Sequence, residues 1–401
     1  MSERDAILDL WSSRQGGSGI LVTLVRVEGS SYRRPGARMF VRPGGYAGSI
    51  SGGCLENEVV RRAQWLTRAG AAVETYSTRF DNPFDGAPST TDPETVFVDE
   101  EDIPYGLGCG GVLDLLLEPA SLAETDAILR AIRAAQHGET FYSATQFPSA
   151  DQPGTTFARV ILREDGSVFF ASQNAPDTTR AKLIQRAAQA SLLPSIPEES
   201  HRIFVESIQP PQRLVILGAG EDARPLARMA HLLGWRVAVA DGRAWLADCA
   251  RFPEAGQVMA LSAHAGNLEP VHLTSADAVA VLSHSFEQDK NFLRQLLPLE
   301  LRYLGLLGAR QRSQLLLAQV TEELGWTPEG CLRRVHAPIG LDVGGDGPEA
   351  VALAILSEIQ SVLHGKSGVA RSMAEDALNT SAEPAYLPAQ CPLDIPPHAA
   401  R

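Results

Sequence analysis

The chain has few of the features that would link it to a membrane, a disulfide framework or a nucleic acid. No run of about 18 apolar residues occurs, which argues against a transmembrane helix, and the start MSERDAILDLW lacks the apolar core of a signal peptide. The five cysteines are an odd number without a C-x-x-C pair, so free thiols are expected and neither disulfides nor a zinc ribbon. A net charge of −13 without an evident basic face argues against general nucleic-acid binding. These absences predict a cytoplasmic protein that binds neither membranes nor nucleic acids.

The composition that is present is that of a soluble globular protein, with 44% hydrophobic and 21% charged residues. A length of 401 residues allows two or three domains, each with its own core. The prolines of LLPSIPEES and SIQPPQ indicate a boundary near 193–212. We therefore expect an N-terminal domain over 1–205, a C-terminal domain over 206–365 and a disordered, proline-rich tail over 366–401.

The first half predicts a mixed α/β domain. Its β-branched run GILVTLVRVEG is typical of a buried strand, and ARMFVRPGGYAGSI predicts two strands joined by a turn. The other predicted elements of this half are helices at 3–14 and 178–191, strands at 72–77 and 112–119, and a hairpin at 158–171.

From residue 213 onward strands alternate with helices, which predicts a Rossmann-like, doubly wound parallel sheet. RLVILGAGEDARPLARMAHLLGWRVAVAD is one complete βαβ unit, with Gly218 and Gly220 in its turn and Asp241 at the end of its second strand. The glycines would let a pyrophosphate approach the helix, and Asp241 would accept a ribose hydroxyl, favouring NAD over NADP. A packing role without nucleotide is the alternative, and Glu221 and Asp222 in the turn would repel a phosphate.

Weaker candidates lie further along this domain. The start of the helix after YLGLLG carries Gly308, Arg310 and Arg312, which would hold an anion, although a solvated helix start is the commoner interpretation. His336 would line the crevice of the sheet, or be structural, as a lone histidine beside a strand more often is. Asp346 is expected to cap the last helix, with Pro348 in its first turn.

Cys54 is the most notable side chain of the first half. In GSISGGCLE it precedes apolar residues at helical spacing, so it is expected at a helix N-terminus. The free backbone N–H groups and the helix dipole there favour a thiolate, and the small residues Gly52 and Gly53 let a ligand approach the backbone. The alternative is a buried, inert cysteine.

Seven short motifs, in the same order, closely resemble the xanthine dehydrogenase accessory (XdhC/CoxI) family: EGSSYRRPGARM, GSISGGCLE, GLGCGG, GAGEDARPLA, SHSFEQDKNFL, YLGLLGARQR and HAPIGLDVG. The resemblance spans about residues 16–362. It implies a maturation factor that binds the molybdenum cofactor, protects it and assists its sulfuration and insertion into molybdenum hydroxylases. It also implies that Cys54 and Cys109 are the family's characteristic cysteines.

The chemistry of the residues agrees with that implication. Molybdenum is soft and thiophilic, so a thiolate at Cys54 or Cys109 suits it as a ligand or sulfur relay. The glycines around Cys109, including Gly110, leave its backbone open, so the two loops would form one pocket for molybdopterin or its cytosine dinucleotide. A polar stretch before the second strand would hold the phosphate of the pterin, or be only a polar turn between strands. Its residues are Ser30, Ser31, Arg33 and Arg34.

Macromolecular partners are expected as well. The resemblance implies the apoenzyme of a molybdenum hydroxylase and a cysteine desulfurase, and a homodimer is a further expectation. The stretch between Phe80 and Gly106 is longer than the family pattern, and it carries Asp81, Asp85, Asp92, Glu94, Asp99, Glu100, Glu101 and Asp102. This charge would oppose an anionic cofactor near Cys109 unless the loop folds away or contacts a partner.

The main alternative function is an NAD-dependent oxidoreductase, which the βαβ unit supports. Against it, the sequence has no Tyr-x-x-x-Lys pair, no metal-ligand cluster and no evident proton donor for the nucleotide crevice. A scaffold whose sheet binds nothing is a third possibility. An accessory protein is therefore favoured over a turnover enzyme, and a cofactor extended to a dinucleotide would place its pyrophosphate on the turn at Gly218.

Overall fold

The computed structural model describes residues 2–13, 19–77, 111–147, 157–190, 203–262, 267–327, 330 and 334–368. The predicted acidic loop 81–102, together with Cys109 and Gly110, lies outside the described residues. The predicted disordered tail lies outside them from residue 369 onward.

The first sheet is antiparallel. It contains β1 (Ile20–Glu28), β2 (Arg38–Arg42), β3 (Gly45–Gly48), β4 (Ala72–Ser77) and β5 (Val112–Pro119), in the order β3-β2-β1-β5-β4. The predicted hairpin of β2 and β3 is confirmed. Helix α2 (Glu56–Leu66) covers one face through an apolar cluster that includes Leu24, Val59 and Leu115.

A second antiparallel sheet lies on the other side. Its strands β6 (Phe141–Gln146), β7 (Ala158–Arg163), β8 (Val168–Ala171) and β9 (Ile203–Ile208) have the order β8-β7-β6-β9. Helices α1 (Glu3–Ser12) and α3 (Ala123–Ala135) contribute to one apolar cluster with both sheets, and α4 (Asp177–Ala190) covers the far face. Strand β1 is therefore buried on both faces, as predicted, because helices pack on each side of its sheet.

A buried ion pair connects the two sheets. The Arg159 Nη1 and Nη2 atoms on β7 lie 2.8 and 3.2 Å from the two carboxylate oxygens of Glu118 on β5. The Nε atom of Arg159 donates to Thr145 Oγ1 at 2.8 Å. Both charged side chains are almost inaccessible to solvent, and their hydrogen-bonding groups are used within the protein, so the pair has a structural role.

The third sheet is parallel. Strands β10 (Arg213–Leu217), β11 (Arg236–Asp241), β12 (Gln257–Ala260), β13 (Ala278–Val281) and β14 (Tyr303–Leu306) have the order β12-β11-β10-β13-β14. Helices α5 (Ala223–Leu232) and α8 (Pro348–Leu363) pack on one face, α6 (Phe286–Leu296) and α7 (Arg310–Leu324) on the other. The strand order reverses between β10 and β13, which places a crevice at their carboxyl ends. The predicted Rossmann-like sheet is confirmed.

The structure bears on two details of the predicted organisation, the domain boundary and the start of the last helix. Strand β9 runs across residue 205 and pairs with β6, so the predicted boundary at 205/206 stays a prediction that falls inside a strand. The expected N-cap at Asp346 is wrong, because Gly347 is the N-cap and no side chain caps this helix. Pro348 is the first residue of α8, as predicted.

Among the described residues, no helix is both long and apolar enough to span a bilayer.

Candidate functional site

Cys54 lies immediately before the N-cap residue Leu55 of helix α2, which confirms its predicted place at a helix N-terminus. The side chain is half-buried, and its Sγ donates to the hydroxyl oxygen of Ser51 at 3.3 Å. Within the described ranges, Cys54 and the exposed Cys249 are free thiols.

The loop that carries Cys54 is held by the buried carboxylate of Glu56, which is 2% exposed. This carboxylate accepts from the backbone N–H of Ile50 at 3.1 Å and of Ser51 at 2.9 Å, and from the Ser49 hydroxyl at 2.8 Å. The Ser51 hydroxyl donates to the second carboxylate oxygen. Burial alone would raise the pKa of Glu56, but the hydrogen bonds from Ser51 and Ser49 outweigh it and leave the pKa lowered. The ionised carboxylate therefore fixes the loop.

The Ser51 hydroxyl is consequently oriented in one direction. Since its proton is donated to Glu56, its oxygen accepts from the thiol of Cys54 and from the backbone N–H of Leu55 at 3.1 Å. Glu56 thus positions Cys54 through Ser51.

Three sequence motifs meet at this end of the first sheet. A Cβ on Gly111, the last residue of GLGCGG, would lie 2.1 Å from the carbonyl oxygen of Ser30 in EGSS, so only glycine fits there. On the other side, Glu3 of helix α1 accepts from the backbone N–H of Ser49 at 2.7 Å and pairs with Arg33. The motifs around Ser30, Ser49 and Gly111 are therefore neighbours.

The four predicted phosphate ligands have different surroundings. Arg33 already pairs with Glu3. Arg34 and Ser30 are exposed and Ser31 is half-exposed, and the side chains of these three have no partner among the described residues. Three of the four are therefore available to an anionic ligand.

The surface beside Cys54 is open and partly aromatic. Gly53 has a φ of +108°, which favours glycine, and a Cβ there would meet no atom within 4 Å. A Cβ on Gly52 would lie 3.8 Å from the ring of Tyr32, which is 77% exposed. Within the residues that the structure describes, no group of three or more His, Cys, Asp or Glu side chains could hold a metal ion.

The two glycines of the βαβ turn differ in how much room they leave for a side chain. Gly218 has a φ of +123°, and a Cβ there would lie 2.4 Å from the backbone of Leu282, so packing requires glycine. A Cβ on Gly220 would have only the His284 ring as a neighbour, at 3.8 Å. Packing explains Gly218 but leaves the space above Gly220 open.

Asp241 ends β11 as predicted, but its carboxylate is fully buried and fully used. One oxygen accepts from the backbone N–H and the Nε of Arg243, at 2.7 and 2.9 Å. The other accepts from the Ala219 N–H at 2.7 Å and from Arg243 Nη2 at 2.8 Å. Burial opposes ionisation, yet these bonds lower the pKa of Asp241 overall. The ribose contact stays a prediction, and it would have to displace one of these donors.

Both acidic residues of this turn have hydrogen-bonding partners nearby, and those of Glu221 are arginines. Glu221 pairs with Arg224 at 3.0 Å and with Arg251 at 2.6 Å, and the hydrogen bond from Arg224 is the main cause of its lowered pKa. Asp222 lies 2.9 Å from the Nε2 of His284. The repulsion of a phosphate that the sequence predicts is therefore reduced at Glu221.

The weaker candidates have structural partners. Arg312 donates to the buried carboxylate of Asp289 at 2.7 Å. His336 Nδ1 lies 3.0 Å from Glu358, and its ring stacks on Tyr303 with the ring centres 4.5 Å apart. Burial, together with Glu358, raises the pKa of Tyr303. These contacts favour the structural interpretation of His336.

A cavity of about 370 Å³ lies away from both candidate sites. Its lining includes Ser2 and Asp5 of the N-terminal half and Arg213 and Arg236 at the amino ends of β10 and β11. The glycine turn is at the carboxyl ends of the same strands, so the cavity is at the opposite edge of the sheet.

Sequence reasoning missed Glu56 and Arg243, which hold the two loops, and Tyr32, whose exposed ring lies beside Gly52. A signal existed for each: Glu56 follows the cysteine at a helix start, and Arg243 comes two residues after Asp241. Tyr32 is an aromatic residue within a polar turn.

An antiparallel N-terminal half with a glycine-flanked thiol, joined to a Rossmann-like sheet, defines the class of this protein. The family model described as the XdhC and CoxI family matches residues 12–77, and the one described as the XdhC Rossmann domain matches residues 214–359. Together they cover just over half of the chain, which belongs to the XdhC/CoxI family.

Individual relatives agree with this assignment. The chain is 29% identical over 348 residues to a probable xanthine dehydrogenase subunit of Bacillus subtilis, covering 85% of this chain and 92% of the relative. It is 24% identical over 362 residues to the molybdenum cofactor insertion chaperone PaoD of Escherichia coli, covering 86% and 84%. A crystal structure described as a xanthine dehydrogenase from Bacillus halodurans has the same fold, with a TM-score of 0.70, 22% identity and coverage of 92% and 97%.

Proposed function

We propose that this protein binds the molybdenum cofactor at the loop of Cys54 and delivers it to a molybdenum hydroxylase of the xanthine dehydrogenase type. The observation that carries the proposal is the convergence of three small-residue motifs around one half-buried thiol. The similarity to a molybdenum cofactor insertion chaperone supports the same role.

The residues beside Cys54 fit such a group. Molybdenum held by a pterin dithiolene is soft, and a cysteine sulfur is a suitable protein donor for it. The exposed ring of Tyr32 and the open backbone at Gly52 and Gly53 suit a flat heterocycle. Arg34 is free to pair with the phosphate of the pterin.

The tasks of the protein residues follow from the geometry. Glu56 and Ser51 hold the loop and fix the position of the half-buried Cys54 Sγ. Glu3 holds Arg33 beside the same loop, so the basic turn stays close to the thiol. The site therefore offers one sulfur donor and a nearby positive charge.

The binding test compares two cysteine variants of the full chain, expressed in cells that make the cofactor. Cys54→Ser should lose most of the molybdenum and pterin per chain, while Cys249→Ser, which alters an exposed free thiol elsewhere, should retain both. Metal analysis and pterin fluorescence after oxidation give the two readings. Equal molybdenum in both variants would refute a role of Cys54.

The delivery test uses the hydroxylase of the same cell. Deleting the gene of this protein should leave the purified hydroxylase with less molybdenum, less terminal sulfur and lower activity than in the parent strain. A hydroxylase that is fully loaded without this protein would contradict the maturation role. The desulfurase partner and the homodimer stay predictions, to be checked by co-purification and light scattering.

A further inference from the structure

The loop that follows β11 is fastened at both ends, by Arg243 to Asp241 and Ser283 at the ends of β11 and β13, and by Arg251 to the glycine turn. Arg243 donates to Asp241 and, through Nη2, to the carbonyl oxygen of Ser283 after β13 at 3.1 Å. Arg251 donates to the Ala219 carbonyl at 2.9 Å and to Glu221. The loop is therefore built at the crevice where the strand order reverses, the place where parallel α/β sheets bind ligands.

Arg243 keeps one part of its guanidinium free. Its Nε and Nη2 atoms are used by Asp241 and Ser283, whereas Nη1 has no partner among the described residues. Its side chain is 34% exposed, and Asp241 is entirely buried beneath it. A ligand in the crevice would meet the Nη1 donor of the paired Arg243 and not the carboxylate of Asp241.

Trp245 lies two residues beyond Arg243 and is 74% exposed. An indole that is mostly exposed offers a large apolar face, and a nucleobase stacks well on such a face. Gly220 adds a second independent feature, since a Cβ there would fill open space and not collide with the protein. Neither feature is explained by packing.

These observations reverse the preference for NAD over NADP that the sequence predicts. An acidic residue at the end of the second strand favours NAD when its carboxylate is free for the ribose hydroxyls, and a nearby arginine favours a ribose phosphate. Here the oxygens of Asp241 are occupied and Arg243 covers them.

We propose that this crevice binds a dinucleotide that carries a phosphate on its nucleoside ribose, with Arg243 contacting that phosphate and Trp245 stacking on the base. The pyrophosphate lies over Gly220, at the start of α5. This inference is independent of Cys54 and of the molybdenum cofactor.

The test is calorimetric titration of the full-length protein with NADP⁺, NAD⁺ and cytidine diphosphate. NADP⁺ should bind at least about tenfold more tightly than NAD⁺, because a hydrogen-bonded charged contact is added. No heat with NADP⁺, equal affinity for NADP⁺ and NAD⁺, or tighter binding of cytidine diphosphate would overturn the proposal.

Two variants and a control variant sharpen the test. Arg243→Gln should abolish the preference for NADP⁺, with folding checked by circular dichroism. Trp245→Ala, at an exposed position, should weaken both dinucleotides by roughly 5- to 100-fold. Trp65→Ala removes another exposed indole, 58% exposed on α2, and should change neither affinity. Unchanged NADP⁺ affinity in Trp245→Ala would also overturn the proposal.

Discussion

The loop before α2 and the turn before α5 use the same device on unrelated backbones. Each is a glycine-containing segment that leads into a helix, and each is organised by one buried carboxylate, Glu56 or Asp241. Each carboxylate accepts four hydrogen bonds, and in each the pKa is lowered despite burial.

The donors differ, and this difference separates the two surfaces. Among the described residues, Glu56 accepts only from backbone N–H groups and serine hydroxyls, so no cation there cancels its negative charge, and a half-buried thiol lies on that loop. Asp241 accepts from the Arg243 guanidinium, so the two charges compensate each other and the Nη1 donor of Arg243 is left over. One structural device thus supports a thiol-bearing loop in one half and an arginine-covered carboxylate in the other.

Substitution of Gly218 should have the largest effect on stability, because this position is packed against the backbone of Leu282. Gly218→Ala combines an unfavourable φ with a collision against the Leu282 backbone, and should lower the free energy of unfolding by about 3 to 5 kcal/mol. Urea denaturation measures it. Gly220→Ala is the matched control, expected to stay within about 1 kcal/mol of wild type. Similar losses in both variants would mean that the turn is not held by contact with Leu282.

Removing the carboxylate of the thiol loop should have the next largest effect. Glu56→Ala leaves two backbone N–H groups and two hydroxyls without their acceptor, and should cost about 2 to 4 kcal/mol in urea denaturation. The control Glu58→Ala alters partly exposed ion pairs on the same helix and should cost less than about 1 kcal/mol. If the two variants were equally stable, Glu56 would not organise the loop.

Acid should weaken the thiol loop in a manner that depends on Glu56. The ordinary pKa of glutamate, 4.5, applies to the unfolded chain, and the folded pKa is lower. The stability contributed by the carboxylate is therefore complete above pH 4.5 and is lost as the pH falls through the folded value. The difference in unfolding free energy between wild type and Glu56→Gln should be constant near neutral pH and shrink in acid. A difference that grows in acid would contradict the lowered pKa.

The smallest effect concerns the basic turn. Arg33→Ala removes a pair between partly exposed side chains, so stability should fall by less than about 1 kcal/mol. Arg34→Ala, at an unpaired exposed residue, should leave thermal unfolding unchanged while reducing molybdenum retention in the expressed protein. If only Arg33→Ala reduced retention, the anion contact would belong to Arg33.

Local patterns in the sequence were sufficient for much of the fold. Apolar runs, helical spacing and turn residues predicted β1, the β2–β3 hairpin, the βαβ unit and the place of Cys54 before α2. These features depend on residues close together in the chain, so the periodicity of apolar residues and the turn residues predict them. The last helix shows the limit, because Asp346 is a good capping residue by type and Gly347 is the N-cap.

The partners of the candidate residues came only with the tertiary structure. Glu3 reaches Arg33 and Ser49 across 30 and 46 residues of chain, and Ala219 reaches Asp241 across 22. Residue type predicts that a carboxylate can accept hydrogen bonds, but packing decides which donors are near it and whether any lone pair remains free. For that reason the sequence indicates a thiol loop and a nucleotide turn, whereas only the folded chain shows Arg33 committed to Glu3 and Asp241 covered by Arg243.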